Sequence, residues 1–232
     1  MKSRYLIMII VLTFSTMMMG QTAGGSLLVG SPQGEFRQYV DNLGFGFQLY
    51  GTLWAPSKLL PFTVGLDFGY MIYGSRTDRR PFSETIPDVA VDVTRSNNIA
   101  NLHVLFQISP FSGTVRPYIE GLFGGAYIFT STDIKSDYQS EPIATTTNYD
   151  DFSWSYGAGG GILFRIGHDL GDVKTLYLDI KARYMYGSEA EYLTQNGIVI
   201  NPADSRVYYF PKKSKTDLLT IHIGVAAYFD VW

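Results

Sequence analysis

Residues 62–72 read FTVGLDFGYMI. Phe62, Val64, Leu66, Phe68, Tyr70 and Ile72 are apolar at every second position, with Thr63, Gly65, Asp67, Gly69 and Met71 between them. A helix would mix these two sets around its circumference, whereas a strand sends them to opposite faces. The segment is therefore a strand with one greasy face and one face that carries a carboxylate. Six more stretches repeat the pattern. Phe45, Phe47, Leu49 and Leu53 alternate with Gly44, Gly46, Gln48, Tyr50 and Thr52. Leu102, Val104, Phe106 and Ile108 face away from Asn101, His103 and Gln107. Ile119, Phe123, Tyr127 and Phe129 oppose Glu120, Leu122, Gly124, Ala126 and Ile128. Trp154, Tyr156, Ala158, Ile162 and Phe164 oppose Ser153, Ser155, Gly157, Gly159, Gly161 and Arg165. Leu176, Leu178, Ile180, Ala182, Tyr184 and Tyr186 oppose Tyr177, Asp179, Lys181, Arg183 and Met185. Leu219, Ile221, Ile223, Val225, Ala227, Phe229 and Val231 oppose Thr220, His222, Gly224, Ala226, Tyr228 and Asp230.

An eighth strand, Gly24 to Gly30, is weaker. It is shorter than the ~9–11 residues of a tilted membrane strand, and Pro32 ends it early. Seven strands would leave an open edge, and single-chain bacterial barrels use even counts, so it completes the set.

Composition sets the remaining bounds. Of 232 residues, 46% are hydrophobic and 17% charged, with 17 Tyr, 15 Phe, 24 Gly and no Cys. So many aromatics exclude a disordered chain. The absence of cysteine excludes a disulfide scaffold, a thiolate zinc site and a cysteine-linked lipid. A net charge of −3 argues against a nucleic-acid partner.

Residues 1–20 read as a cleaved export signal. Lys2 and Arg4 precede the short apolar run Tyr5 to Phe14, and small residues follow at Gly20 and Ala23. Cleavage after Gly20 leaves a domain of residues 21–232, with 16 basic and 21 acidic residues. That domain holds no run of ~18 apolar residues, so helices cannot carry it across a membrane. Strands can, if they close into a barrel that satisfies every backbone group.

Connection lengths fit such a barrel. Ala55 to Pro61, Ser109 to Gly113 and Gly167 to Val173 are short; Ser31 to Asn42, Ser75 to Asn98, Lys135 to Asp151 and Ser188 to Asp217 are long. Short turns at one end and long loops at the other are the outer-membrane pattern, with both termini periplasmic. The first long loop holds a candidate helical turn, GEFRQYV, and the last can extend its hairpin above the membrane. Tyr70, Tyr73, Tyr127, Phe129, Trp154, Tyr156, Tyr184 and Tyr186 gather at the long-loop end. Trp54, Phe62, Phe106, Phe164, Phe229 and Trp232 gather at the other. Two aromatic bands are expected at the two lipid–water interfaces.

Two motifs carry a family resemblance. Val115-Arg116-Pro117-Tyr118 continues as Ile119-Glu120-Gly121-Leu122-Phe123-Gly124-Gly125, which is similar to the PYxxxGxG strand of small bacterial outer-membrane barrels of the OmpA/OmpX-like class. The ending Tyr228-Phe229-Asp230-Val231-Trp232 resembles the aromatic signal read by the barrel-assembly machinery. Trp232 has lumen parity, which makes Phe229 the alternative signal residue. The resemblance implies an eight-stranded antiparallel up-and-down transmembrane barrel in the outer membrane, in contact with its lipids and lipopolysaccharide.

The inward face then receives Asp67, Glu120, Asp179 and Asp230 with Arg116, Arg165, Lys181 and Arg183. Eight strands leave room for side chains alone, and buried charges must pair. The expected result is a charged plug; the alternative is a narrow pore for ions or small solutes. His168 falls in a short turn. His103 and His222 point inward on opposite strands at different depths, so no metal set converges and no metal or cofactor is expected. Some barrels of this size modify lipid A through His, Ser and a carboxylate on the lipid face. Here the outward neighbours of His222 are all apolar and no His-x-Ser occurs, so no enzyme is expected. Gly157-Ala158-Gly159-Gly160-Gly161 lacks the Lys-Ser/Thr of a phosphate loop and reads as room within a strand. Lys212, Lys213 and Lys215 are a solvated cluster or a contact for lipopolysaccharide phosphates. Arg76, Arg79, Arg80, Asp88 and Asp92 lie in one long loop, and Ile198-Val199-Ile200 and Val207-Tyr208-Tyr209-Phe210 in another. Such loops suit adhesion or an extracellular partner. The remaining architecture is a soluble exported lipocalin-like carrier, with the two faces reversed.

Overall fold

The computed structural model describes residues 22–83, 86–136, 142–195, 197–200 and 207–229. The expected signal peptide, Asp230 and Trp232 lie outside these residues. Eight long strands form one antiparallel ring: β1 (Thr22–Pro32), β2 (Gly44–Thr52), β3 (Phe62–Ser83), β4 (Ile86–Ile108), β5 (Val115–Ser136), β6 (Ala144–Leu170), β7 (Val173–Gly187) and β12 (Leu218–Phe229). Each pairs with the next along the chain, and β12 closes the ring onto β1. β1 runs 11 residues and pairs along its length with both neighbours, down to Pro32 opposite Leu218. Proline lacks an N–H, so it tolerates the last position and stops the ladder there. The strand is longer than its apolar residues suggest, because Thr22, Ala23, Gly24 and Gly25 add ladder without adding pattern.

The parity of the sequence becomes the sidedness of the ring. Leu27, Phe68, Leu102, Phe123, Ile180 and Ile223 are 40–69% exposed on the outside. Asp67, His103, Lys181 and His222 are 1–3% exposed inside. A lipocalin-like barrel would show the opposite arrangement, so that architecture does not hold. The outer rings meet in two groups: Tyr127 stacks on Phe129 and Tyr156 on Tyr186 toward the long loops, and Phe62 stacks on Phe106 with Trp54 edge-on to Phe62 toward the short turns. Tyr73 does not join the first group: it is 1% exposed. Its position has the parity of Asp67 and Met71, and the register of β3 shifts there, between Ile72 and Gly74.

Most of the long loops are not loops. β3 and β4 continue together past Tyr73, and β5 and β6 past Phe129, as hairpins beyond the apolar band. The Gly-Glu-Phe-Arg-Gln-Tyr segment forms α1 (Gly34–Tyr39). Between β7 and β12 lie β8 (Glu189–Tyr192), β9 (Ile198–Ile200), β10 (Val207–Tyr209) and β11 (Lys212–Lys215). β8 pairs with β11 and β9 with β10, so this connection is a hairpin extension, as its sequence suggests. At the opposite end β6 passes into β7 through Gly171, whose φ of 69° suits glycine. Thr22 pairs with Tyr228 and Thr52 at that same short-turn end.

Candidate functional site

The lumen is built from alternate residues of all eight strands, and its chemistry follows from which charges meet. Arg183 on β7 is the centre. Its Nε donates to Glu120 Oε1 at 2.5 Å, and its Nη2 lies 3.2 Å from Glu120 Oε2 and 3.0 Å from Asp67 Oδ2. Asp67 also accepts from Gln48 Nε2. Ser26 donates to Gln48 Oε1 at 2.8 Å and lies 3.3 Å from His222 Nδ1. A continuous chain of polar contacts thus runs from β12 through β1, β2 and β3 to β7 and β5. Lys181 Nζ stands 3.2 Å from Asp179 Oδ2, an ion pair too oblique for a hydrogen bond, and 4.4 Å from the centre of the Tyr50 ring. Tyr118 donates to Asp179 Oδ1 at 2.7 Å. The glycine run makes room for these groups: a Cβ on Gly161 would stand 2.6 Å from the Tyr118 hydroxyl and 2.7 Å from Lys181 Cβ. Those glycines lie in β6, opposite Lys181, Arg183 and Met185.

Not every expected charge joins this network. Arg116 shares a face with Glu120 but turns to the short-turn end. There it donates to the Phe111 and Pro56 carbonyls, both at 2.8 Å, beneath the rings of Tyr228 and Tyr177. Arg165 is a correction. It stands in register with inward-facing Tyr177, yet at the rim it is exposed and donates to Thr114 Oγ1 at 2.9 Å. Tyr228 points inward, and Phe229 is half-buried on the opposite face. His168, expected in a turn, lies instead near the end of β6 opposite Thr175, exposed and 3.2 Å from Asp169.

His103 and His222 depart from expectation in depth. Both line one cavity of about 40 Å³, together with Gln48, Asp67, Ser155 and Arg183. Among the described residues, no group of three or more His, Cys, Asp or Glu is placed to hold a metal. The Ser26–His222 contact resembles a nucleophile and its base. The second nitrogen of His222 meets the Thr220 hydroxyl at 2.9 Å rather than a carboxylate, and the cavity beside it is only a few waters in size. Sequence reading missed Ser26, Gln48, Tyr50 and Tyr118 as members of the network. Their parity was legible, but polar uncharged residues carried no alarm.

Helix α1 packs at the long-loop end. Phe36 of α1 is fully buried, with its ring edge-on to Tyr73 at 5.5 Å and to Tyr192 at 4.9 Å. Val40 belongs to the same buried cluster. The Gln33 N–H donates to the Asp217 carbonyl at 2.9 Å, and the Lys215 N–H to Glu35 Oε2 at 3.2 Å, so α1 is tied to β11 and the start of β12.

Solved structures of similar architecture exist. Neisserial surface protein A is 12% identical, with 90% of this chain and 97% of that chain covered and a TM-score of 0.44. Ail, the attachment invasion locus protein of Yersinia pestis, is 15% identical, with 91% and 100% covered and a TM-score of 0.40. A major outer membrane protein from Thermus thermophilus is 15% identical, with 89% and 99% covered and a TM-score of 0.37. No protein-family model matches the sequence, and no curated protein matches it.

Beyond the cap, the hairpins present the exposed chemistry. Val207, Tyr208, Tyr209 and Phe210 are 43–54% exposed. Lys212 lies 5.7 Å from the Tyr39 ring centre, and Lys213 3.9 Å from Glu189. Arg79 stands opposite Asp92 in the β3–β4 hairpin, where Arg76 pairs with Asp78 at 3.1 Å. A polar recess of about 130 Å³ opens between Tyr39, Asp41, Asn42, Asn97 and Gln195.

Proposed function

We propose that the protein is a non-enzymatic outer-membrane barrel whose lumen is plugged and whose surface hairpins bind an extracellular partner. The observation that carries this is the inversion of the usual protein: apolar side chains outside, ion-paired side chains within. The interior pairs its charges across strands, as a plug requires. Arg116 with its carbonyls stands at one end and the Phe36 cap at the other. With the interior so occupied, the hairpins are the part left to meet a partner. In this reading Lys212, Lys213 and Lys215 meet lipopolysaccharide phosphates. Tyr228, Phe229 and Trp232 serve the assembly machinery during insertion.

The test combines location, conductance and surface binding. Expressed in a Gram-negative host, the full chain should fractionate with the outer membrane. The refolded barrel should stay silent in planar bilayers at every voltage. Expressing cells should bind components of immobilised glycan and protein arrays, and protease shaving of the hairpins should abolish that binding. Discrete channel openings would reject the plug. Binding unchanged by shaving, or absent throughout, would reject the hairpin reading.

A further inference from the structure

The lumen contains a demand that the protein itself does not meet. His103 is 3% exposed, and neither of its ring nitrogens has a hydrogen-bond partner among the described residues. A neutral imidazole carries one donor and one acceptor, and an orphaned buried donor or acceptor keeps its full desolvation cost. The obvious partner is spoken for. Asp67 faces His103 across β3 and β4, yet its carboxylate is turned to Gln48 and Arg183. The ring opens instead onto the 40 Å³ cavity, whose floor holds Gln48, Asp67, Arg183 and His222.

We propose that this chamber is a water site, in which a small ordered cluster carries the hydrogen bonds of His103. A water needs ~10–15 Å³ of such space and two to four polar partners. The cavity therefore accommodates about three or four molecules, and its floor supplies acceptors at Asp67 and donors at Arg183 and Gln48. Toward the long loops its lining mixes apolar Met71, Ile99 and Leu218 with the hydroxyls of Ser155 and Thr216. The water extends to His103 the polar chain that already joins His222, Ser26, Gln48, Asp67, Arg183 and Glu120. The plug is then a wetted network rather than a dry set of ion pairs. Such a water site does not depend on what the hairpins bind.

The alternative is a dry cavity, and xenon distinguishes the two, because dry apolar cavities take it up. Crystals of the mature chain in detergent should be measured with and without xenon pressure. The expected result is solvent density about 3 Å from a ring nitrogen of His103, unchanged under xenon. Solution measurement should agree: magnetisation should pass from water to the His103 ring proton, and a His103→Phe variant should lose the solvent peaks. A xenon peak in the chamber, or no density beside His103 in either crystal, would overturn the proposal. So would a His103 ring bonded directly to protein.

Discussion

Arg183 is the residue on which the lumen turns, because its one guanidinium satisfies two buried carboxylates. Removing one partner of a buried ion pair leaves the other charged and alone, at about 3–5 kcal/mol. Arg183→Leu should therefore destabilise the barrel by about that much in urea titrations of the protein refolded into lipid vesicles. Arg165→Leu, at the exposed rim, should stay within about 0.5 kcal/mol of the parent. The contrast shows what sequence could tell. Period-two alternation placed Asp67, Glu120, Asp179, Lys181 and Arg183 on one face. It could not say that Glu120 takes Arg183 rather than Arg116 on its own strand, since that depends on the stagger of strands around the ring. Nor could it see that Arg165 ends at the exposed rim, bonded to Thr114. Tyr149, above the apolar band, offers a second test. It donates to Glu191 Oε2 at 2.5 Å, and that bond, more than its modest burial, raises its pKa to about 12. The folded-state value lies above the ordinary one of 10.0. The bond's stabilisation is therefore complete below about pH 10 and is lost as pH rises through about 12. The difference in phenolate absorbance between the parent and Tyr149→Phe should therefore be one tyrosine that titrates near 12. Titration near 10 would show that the hydrogen bond is not made.

At the scale of elements, α1 matters most, for it converts an open ring into a capped one. Six residues cannot hold a helix by themselves; this one is held by Phe36 between β3 and β8 and by hydrogen bonds to β11 and the residue before β12. Truncating a buried Phe costs about 3–5 kcal/mol. In Phe36→Ala that loss should fall on the cap alone. Amides of residues 34–40 should then exchange roughly a hundred- to a few-thousandfold faster, at about 1.4 kcal/mol per decade, while those of β5 and β6 keep their protection. Uniform loss of protection would mean that the cap and the ring fold as one unit. The helical turn was legible in GEFRQYV, but its role was not, because Tyr73 and Tyr192 lie far away in sequence. The same limit hid the hairpins. Polar strands such as Thr145-Thr146-Thr147 have no greasy face outside a membrane and so show no period.

At the scale of the whole molecule, the cost of each side chain depends on the medium that surrounds the barrel. In water, an exterior carrying Leu27, Leu102, Ile119, Phe123 and Ile223 would drive aggregation. In lipid the same exterior is the solvated surface, and the polar lumen is the only place left for charge. This makes the effect of a charge depend on face rather than on strand. Leu102, 57% exposed, stands opposite Phe68 and Gly125, well inside the paired region of β4. A cation at the membrane midplane on a lipid face costs about 2–4 kcal/mol, falling toward the interfaces. Leu102→Arg should therefore lower stability in vesicles by about 2–4 kcal/mol, and Val115→Arg, near the short-turn end of β5, by about 1 kcal/mol or less. Equal costs at the two positions would mean that no lipid gradient crosses the band. The outward face would then need another partner, such as a second protein surface, to cover it.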